Sequence, residues 1–211
     1  MRSFQEGTDY SDGTDIIALV EEIRDSRFYI PELSFVAELD NRVVGHFLFS
    51  KFPLSPTKEG GHGEGADSEI VMLAPVSVHA DYFRRGIGTA MLKMGIEKVR
   101  ALGYKGITVE GNYKFYNRLG FRTSSEYNIF PTSGYPMVEP RCMMCQQTYE
   151  GSLDGIQGYI VLPITERIHG STRMALRGTK LQRTDSALAS HSYKTDTYAY
   201  KKYLCASGAR W

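Results

Sequence analysis

Residues 69–102 read EIVMLAPVSVHADYFRRGIGTAMLKMGIEKVRAL. The stretch divides into three parts. Ile70, Val71, Met72, Leu73, Val76 and Val78 form an apolar run of strand length. Pro75 interrupts it, and proline cannot donate to a ladder, so the strand must bulge or lose a partner there. From Ile87 the apolar residues Met91, Leu92, Met94, Ile96, Val99 and Leu102 recur close to the helical period. Between strand and helix lies Arg84-Arg85-Gly86-Ile87-Gly88-Thr89.

A glycine turn that opens a helix suits an anion. The first N–H groups of a helix lack an internal acceptor, and the helix dipole adds about half a positive charge there. Glycines at 86 and 88 let a phosphate approach the backbone, and Arg84 and Arg85 add charge in bidentate form. The expected guest is a pyrophosphate; the plainer reading is a glycine-rich connection with two solvated arginines. Two familiar phosphate loops fail. A P-loop needs Lys and Ser or Thr after its last glycine, whereas Gly88 is followed by Thr89-Ala90. The dinucleotide fingerprint needs a third small residue where Met91 stands.

Outward from this centre the chain reads as one domain at 15–165, between a mobile start at 1–14 and a basic, weakly ordered extension at 166–211. Asp15 is expected to cap a helix to Asp25 whose apolar face is Ile16, Ile17, Leu19, Val20 and Ile23. Tyr29-Ile30-Pro31 is expected to end that unit. Strands follow over Leu33–Leu39 and Val43–Ser50, joined at Asp40-Asn41-Arg42. Residues 51–67 read as a loop, plainer as a solvated hairpin than as a metal site, since no paired ligand spacing appears. Gly103 caps the long helix, and Gly106–Glu110 is a further strand, so strand, helix, strand implies a right-handed crossover and a parallel pair. Residues 122–140 read as a long aromatic loop, and two last strands fall at Cys142–Tyr149 and Gly158–Leu162. In a strand, Cys142 and Cys145 point to opposite faces, which favours a structural role over a metal or redox pair.

The net charge of +1 argues against a dedicated nucleic-acid binder. The last 46 residues hold nine basic side chains against three acidic, so this segment could contact an acidic partner, RNA or protein. No run approaches the ~18 apolar residues of a membrane span, and the polar N-terminus has no signal-peptide core, which gives a cytoplasmic expectation. Three cysteines make a disulfide framework a poor reading.

The second motif is VEGNYKFYNRLGF, Val109–Phe121, in which Tyr116 precedes Gly120-Phe121 by four residues. Together the glycine turn and this Tyr-x-x-x-Gly-Phe element resemble the GNAT superfamily of N-acetyltransferases, in particular its YhbS-like subgroup, over roughly residues 15–165. Gly86 and Gly88 match the family loop Q/R-x-x-G-x-G/A, while Phe83 stands where Gln or Arg is expected, with Arg84 beside it. The family begins with a strand and helix before the element at Asp15, and this chain leaves almost no room for them.

The resemblance implies an α/β fold with a central mixed, mostly antiparallel sheet and a splayed parallel pair flanked by helices. It implies direct transfer of an acetyl group from acetyl-CoA, as cosubstrate without a metal, to a primary amine. The pantetheine arm would pair with the backbone at Val76, Ser77 and Val78. The pyrophosphate would rest on Arg84, Arg85, Gly86, Ile87, Gly88 and Thr89, with Asn112 and Tyr116 beside the arm. Tyr116 takes the position of the acid for the departing thiolate. Glu110, at a strand end, is the candidate base, ahead of His79 and His46; His46 reads first as a structural histidine. A small amine, an aminoglycoside-like molecule, a polyamine and a protein N-terminus or lysine stay open as acceptor, as does a homodimer. The competing readings are a non-catalytic acyl-CoA-binding module and an interaction protein with a degenerate form of this fold.

Overall fold

The computed structural model describes residues 14–59, 68–132 and 139–161. The expectations for 1–13, for the metal-site alternative around His62, and for the C-terminal extension lie outside the described residues. Helix α1 (Thr14–Asp25) leads into β1 (Tyr29–Leu39), which pairs antiparallel with β2 (Arg42–Ser50). Asp40 and Asn41 both adopt positive φ, 51° and 58°, and close a two-residue hairpin with the twist that flanking strands favour. β1 starts four residues earlier than expected, and Pro31 lies within it. An edge strand tolerates the missing N–H, and the register slips between Tyr29↔Ser50 and Ser34↔Leu48 to accommodate the proline.

The short β3 (Leu54–Ser55) precedes β4 (Ile70–Val78), and α2 (Ile87–Ala101) carries the chain to β5 (Gly106–Glu110). β4 and β5 are parallel, as the strand–helix–strand order requires. α3 (Tyr113–Tyr116) continues as a 3-10 turn over Asn117–Leu119 and stops at Gly120. Residues 122–131 are not a plain loop: β6 (Arg122–Thr123), a 3-10 turn over Ser124–Tyr127 and β7 (Ile129–Pro131) lie there. β8 (Met143–Gln147) and β9 (Gly158–Ile160) complete the described strands.

Six strands form a mixed sheet in the order β1-β2-β4-β5-β8-β6, and β3-β9-β7 form a smaller one. α2 lies on one face of the large sheet, with Met91, Leu92, Ile96 and Val99 packed among Phe47, Phe49, Val71, Leu73, Ile107 and Val109. Each fully buried side chain of this kind contributes about 1.5–3 kcal/mol relative to exposure. On the opposite face, Leu48 meets Ile23, Leu19 and Val20 of α1. Further along that face, Ile70, Met72 and Cys145 meet Phe52, Ile129 and Ile160 of the small sheet and its connections. Cys142 sits in the 3-10 turn before β8 rather than in the strand. Burial pushes the Cys145 thiol up to about 12, so it is an inert core residue. No helix among the described residues is long and apolar enough to cross a membrane.

Candidate functional site

The central feature is a gap between two strands. β4 and β5 pair only at Ile70↔Gly106, Val71↔Ile107 and Met72↔Thr108. β4 then runs six residues further, held on its other edge by β2 as far as Val78↔Gly45. Beyond Met72 the two parallel strands therefore part, as the family resemblance implies.

Pro75 sets how β4 faces that gap. Phe47 is opposite Val76 and Phe49 opposite Leu73, so β4 carries one extra residue there, the bulge expected at the proline. The extra residue reverses the alternation of side chains. Val71 and Leu73 face α2 before it, and Val76 and Val78 face α2 after it, which sends Ser77 to the α1 face. Main-chain direction follows the same count. His79 N–H donates to the Val44 carbonyl at 2.7 Å, so in an antiparallel ladder Ser77 is the next residue bonded to β2. Val76 and Val78 then direct their amide groups to the gap. Buried Ser77 donates its hydroxyl to the His46 carbonyl, 3.3 Å away.

The glycine turn lies at the end of this strand. Gly86, the N-cap of α2, has φ +78°, and no side chain caps the helix. The first helical bond runs from Ala90 N–H to the Gly86 carbonyl, leaving the N–H groups of Ile87, Gly88 and Thr89 without a helical acceptor. No acidic side chain stands in the first turn to compete for them. Arg84 also has positive φ, 61°, an uncommon conformation for a residue with a side chain. The Arg85 guanidinium lies 5.1 Å over the Tyr82 ring, and His79 meets the same ring edge-on at 5.7 Å. Phe83 is exposed at 39% and supplies no polar contact, so the charge at this loop comes from its two successors.

Against the turn lies a cavity of about 190 Å³ lined by Thr89, Lys93, Phe115, Arg118 and Leu119. Its two cations were not singled out from sequence. Lys93 follows Thr89 by four residues and so shares its helix face, a usable signal. Arg118, in the 3-10 turn after α3, joins it only once the chain is folded.

On the far side of the gap, Asn112 caps α3 by accepting from Lys114 N–H at 2.9 Å. Its side chain is thus committed to the helix start, which positions Tyr116 one turn later. Tyr116 is 3% exposed, with edge-on contacts to Phe115 and Phe121, in the core on the α2 face. Gly111 is required by close approach: a Cβ there would lie 2.5 Å from Cε2 of the Tyr116 ring.

Glu110 ends β5 opposite Met143. Ile107 and Val109 face α2, so Thr108 and Glu110 face the other way. Glu110 and Tyr116 therefore stand on opposite faces of the sheet beside the same gap. His46 shares the face of Glu110 and Ser77. Burial, helped by the charge of Arg24, lowers its pKa to about 4, so the ring is neutral at pH 7. His79 accepts from Asp81 N–H at 3.3 Å and caps the turn before the glycine loop, a local structural task. Among the described residues no group of three or more His, Cys, Asp or Glu could hold a metal ion.

Residues 4–121 match the model of the acetyltransferase (GNAT) family. The chain is 30% identical over 139 residues to the uncharacterized N-acetyltransferase YjhQ of Escherichia coli K12, spanning 65% of this chain and 71% of the relative. Against the uncharacterized N-acetyltransferase YhbS of the same strain it is 23% identical over 143 residues, 67% of this chain and 77% of that one. The crystal structure of E. coli YhbS in complex with CoA superposes with a TM-score of 0.58 at 22% identity, covering 69% of this chain and 74% of YhbS. A GNAT acetyltransferase from Brucella melitensis in complex with acetyl-CoA gives 0.54 at 25% identity, covering 74% and 79%. With its parted parallel strands, its uncapped glycine helix start and more than half its length matched, the chain belongs to the GNAT family of acetyltransferases.

Proposed function

We propose that the protein transfers an acetyl group from acetyl-CoA directly to a primary amine in a ternary complex. The observation that carries this reading is the adjacency of two sets of unused main-chain groups. Val76 and Val78 offer an open strand edge to the gap, and Ile87, Gly88 and Thr89 offer N–H groups at its mouth. An amide-bearing pantetheine arm pairs with the first like an added strand, and a diphosphate rests on the second with Arg84 and Arg85. The Lys93–Arg118 cavity lies next to the diphosphate position and adds positive charge. Complexes of similar proteins with CoA and acetyl-CoA support the same ligand.

With the diphosphate on the α2 side, the thioester enters from that side and the amine attacks from the α1 face. A lysine-like amine of pKa ~10.4 is neutral in about one part in 10^3.4 at pH 7, a barrier of roughly 4.6 kcal/mol unless a proton is removed. Glu110 stands on the attacking face and serves as that base, directly or through water. Tyr116, on the entry face, protonates or hydrogen-bonds the departing thiolate, whose thiol pKa of ~8.5 makes it a fair leaving group.

The test is thiol release from acetyl-CoA with a panel of primary amines. Amine-dependent release above hydrolysis is expected. Acetyl-CoA binding without such turnover indicates a non-catalytic acyl-CoA-binding module, and no acetyl-CoA binding refutes the ligand assignment.

A further inference from the structure

The α1 face of the gap carries a polar group with no assigned task. Odd positions of β2 face α2: Phe47 and Phe49 lie in its core, and a Cβ on Gly45 would meet the Met91 sulfur. His46 and Leu48 consequently face α1, where Leu48 packs against Ile23. His46 is directly opposite Ser77, on the part of β4 that has left β5. Its Nε2 is shielded from solvent and has no hydrogen-bond partner among the described residues, although the ring as a whole is only partly covered. A buried polar atom without a partner destabilises a fold, and such atoms persist where a site needs them.

We propose that His46 anchors the acetyl acceptor, its Nε2 pairing with a hydroxyl group carried by the amine. The inference rests on the acetyl-transfer reading above and adds the acceptor's chemical class: a primary amine with a hydroxyl at a set distance. A hydroxyl both donates and accepts, so it satisfies either tautomer of the neutral ring. β2 lies one strand spacing beyond β4, and the attack position is in the gap on the other side of β4. One to one and a half spacings give about 5–7 Å between the reacting nitrogen and the anchored oxygen. The positive charge of Arg24 acts on the same ring and disfavours a second ammonium at that position.

Three amines of equal length separate these demands: 5-amino-1-pentanol, hexylamine and 1,5-diaminopentane. The native protein should acetylate the amino alcohol with kcat/KM at least tenfold above either of the others, because a site built for a hydroxyl rejects an analogue that leaves its polar atom unpaired. His46→Phe should remove that preference through the KM of the amino alcohol. Its thermal stability should be unchanged or raised, and its affinity for acetyl-CoA unchanged. His46→Gln, which places an amide nitrogen near the Nε2 position, should restore most of the preference and provides the comparison should the phenylalanine variant misfold. No preference in the native protein, or an equal preference in native and His46→Phe proteins, overturns the inference alone. Turnover of none of the three amines with acetyl-CoA bound overturns the acetyl-transfer reading and the inference with it.

Discussion

One methyl group, placed at either of two positions two residues apart, should have opposite effects. Gly86 holds φ +78°, and an added Cβ would meet nothing within 4 Å. Space is therefore no obstacle to Gly86→Ala; the backbone is. The left-handed conformation costs a residue with a side chain roughly 1–2 kcal/mol, and the loop escapes this by leaving the cradle geometry. If ligand binding must restore it, affinity for acetyl-CoA falls by that amount, about 5–30-fold. Gly88 has no positive φ, and its Cβ would make an ordinary contact of 3.6 Å with Val78. Gly88→Ala therefore fits, and helix propensity favours it by up to ~1 kcal/mol. Thermal unfolding with acetyl-CoA fixed at 100 times the native dissociation constant reads both effects. The native protein and Gly88→Ala should gain about 2.7 kcal/mol, and Gly86→Ala, at tenfold weaker binding, about 1.4 kcal/mol. A folded Gly86→Ala protein with the native gain would refute the idea that this turn's backbone geometry holds the ligand.

Other perturbations test separate parts of the site. Tyr116→Phe should lower kcat while leaving the acetyl-CoA dissociation constant nearly unchanged; equal turnover removes the hydroxyl from the mechanism. Arg84→Gly should relieve the positive-φ strain and raise stability by a net ~0.5–1 kcal/mol after the glycine's larger unfolded-state entropy, while weakening acetyl-CoA. Chemical denaturation and a binding isotherm on one sample check both signs, and a loss of stability contradicts the strain. His46 gives a pH signature: its pKa is about 4 folded, against an ordinary 6.5. As pH falls below 6.5 the unfolded chain takes up a proton that the folded one refuses until about pH 4. Stability is thus fully present above that window and lost through it. The drop in urea midpoint between pH 7 and pH 4.5 should be smaller in His46→Phe than in the native protein, and equal drops would contradict a buried neutral ring.

The cofactor side of the site was legible because its signals are local. Gly86 and Gly88 sit next to a helix whose apolar period is unbroken from Ile87 to Val99, and Tyr116 precedes Gly120 on one short element. Spacing along the chain is enough to place such groups. The acceptor side depends on pairings between distant residues. His46 and Ser77 are 31 positions apart, and only strand register sets them opposite each other. Of the small sheet only the strand at Gly158 is readable from sequence, for a related reason: Leu54–Ser55 and Ile129–Pro131 are too short to carry periodicity, and they are read as strands only once Gly158–Ile160 lies beside them. Pro31 misled because proline suits an edge strand as well as a strand's end, and edges are a property of the assembled sheet.

The bulge at Pro75 acts as a phase shifter for everything downstream of it on β4. Were β4 to run on in strict alternation through Ala74 and Pro75 with no residue removed, its outer half would be rotated by half a turn about its own axis. Val76 and Val78 would swing onto the acceptor's side, Ser77 would enter the aliphatic interior, and the amide groups now offered to the gap would be consumed by β2. One position in the chain therefore decides whether this half of the strand serves a guest or merely closes the sheet.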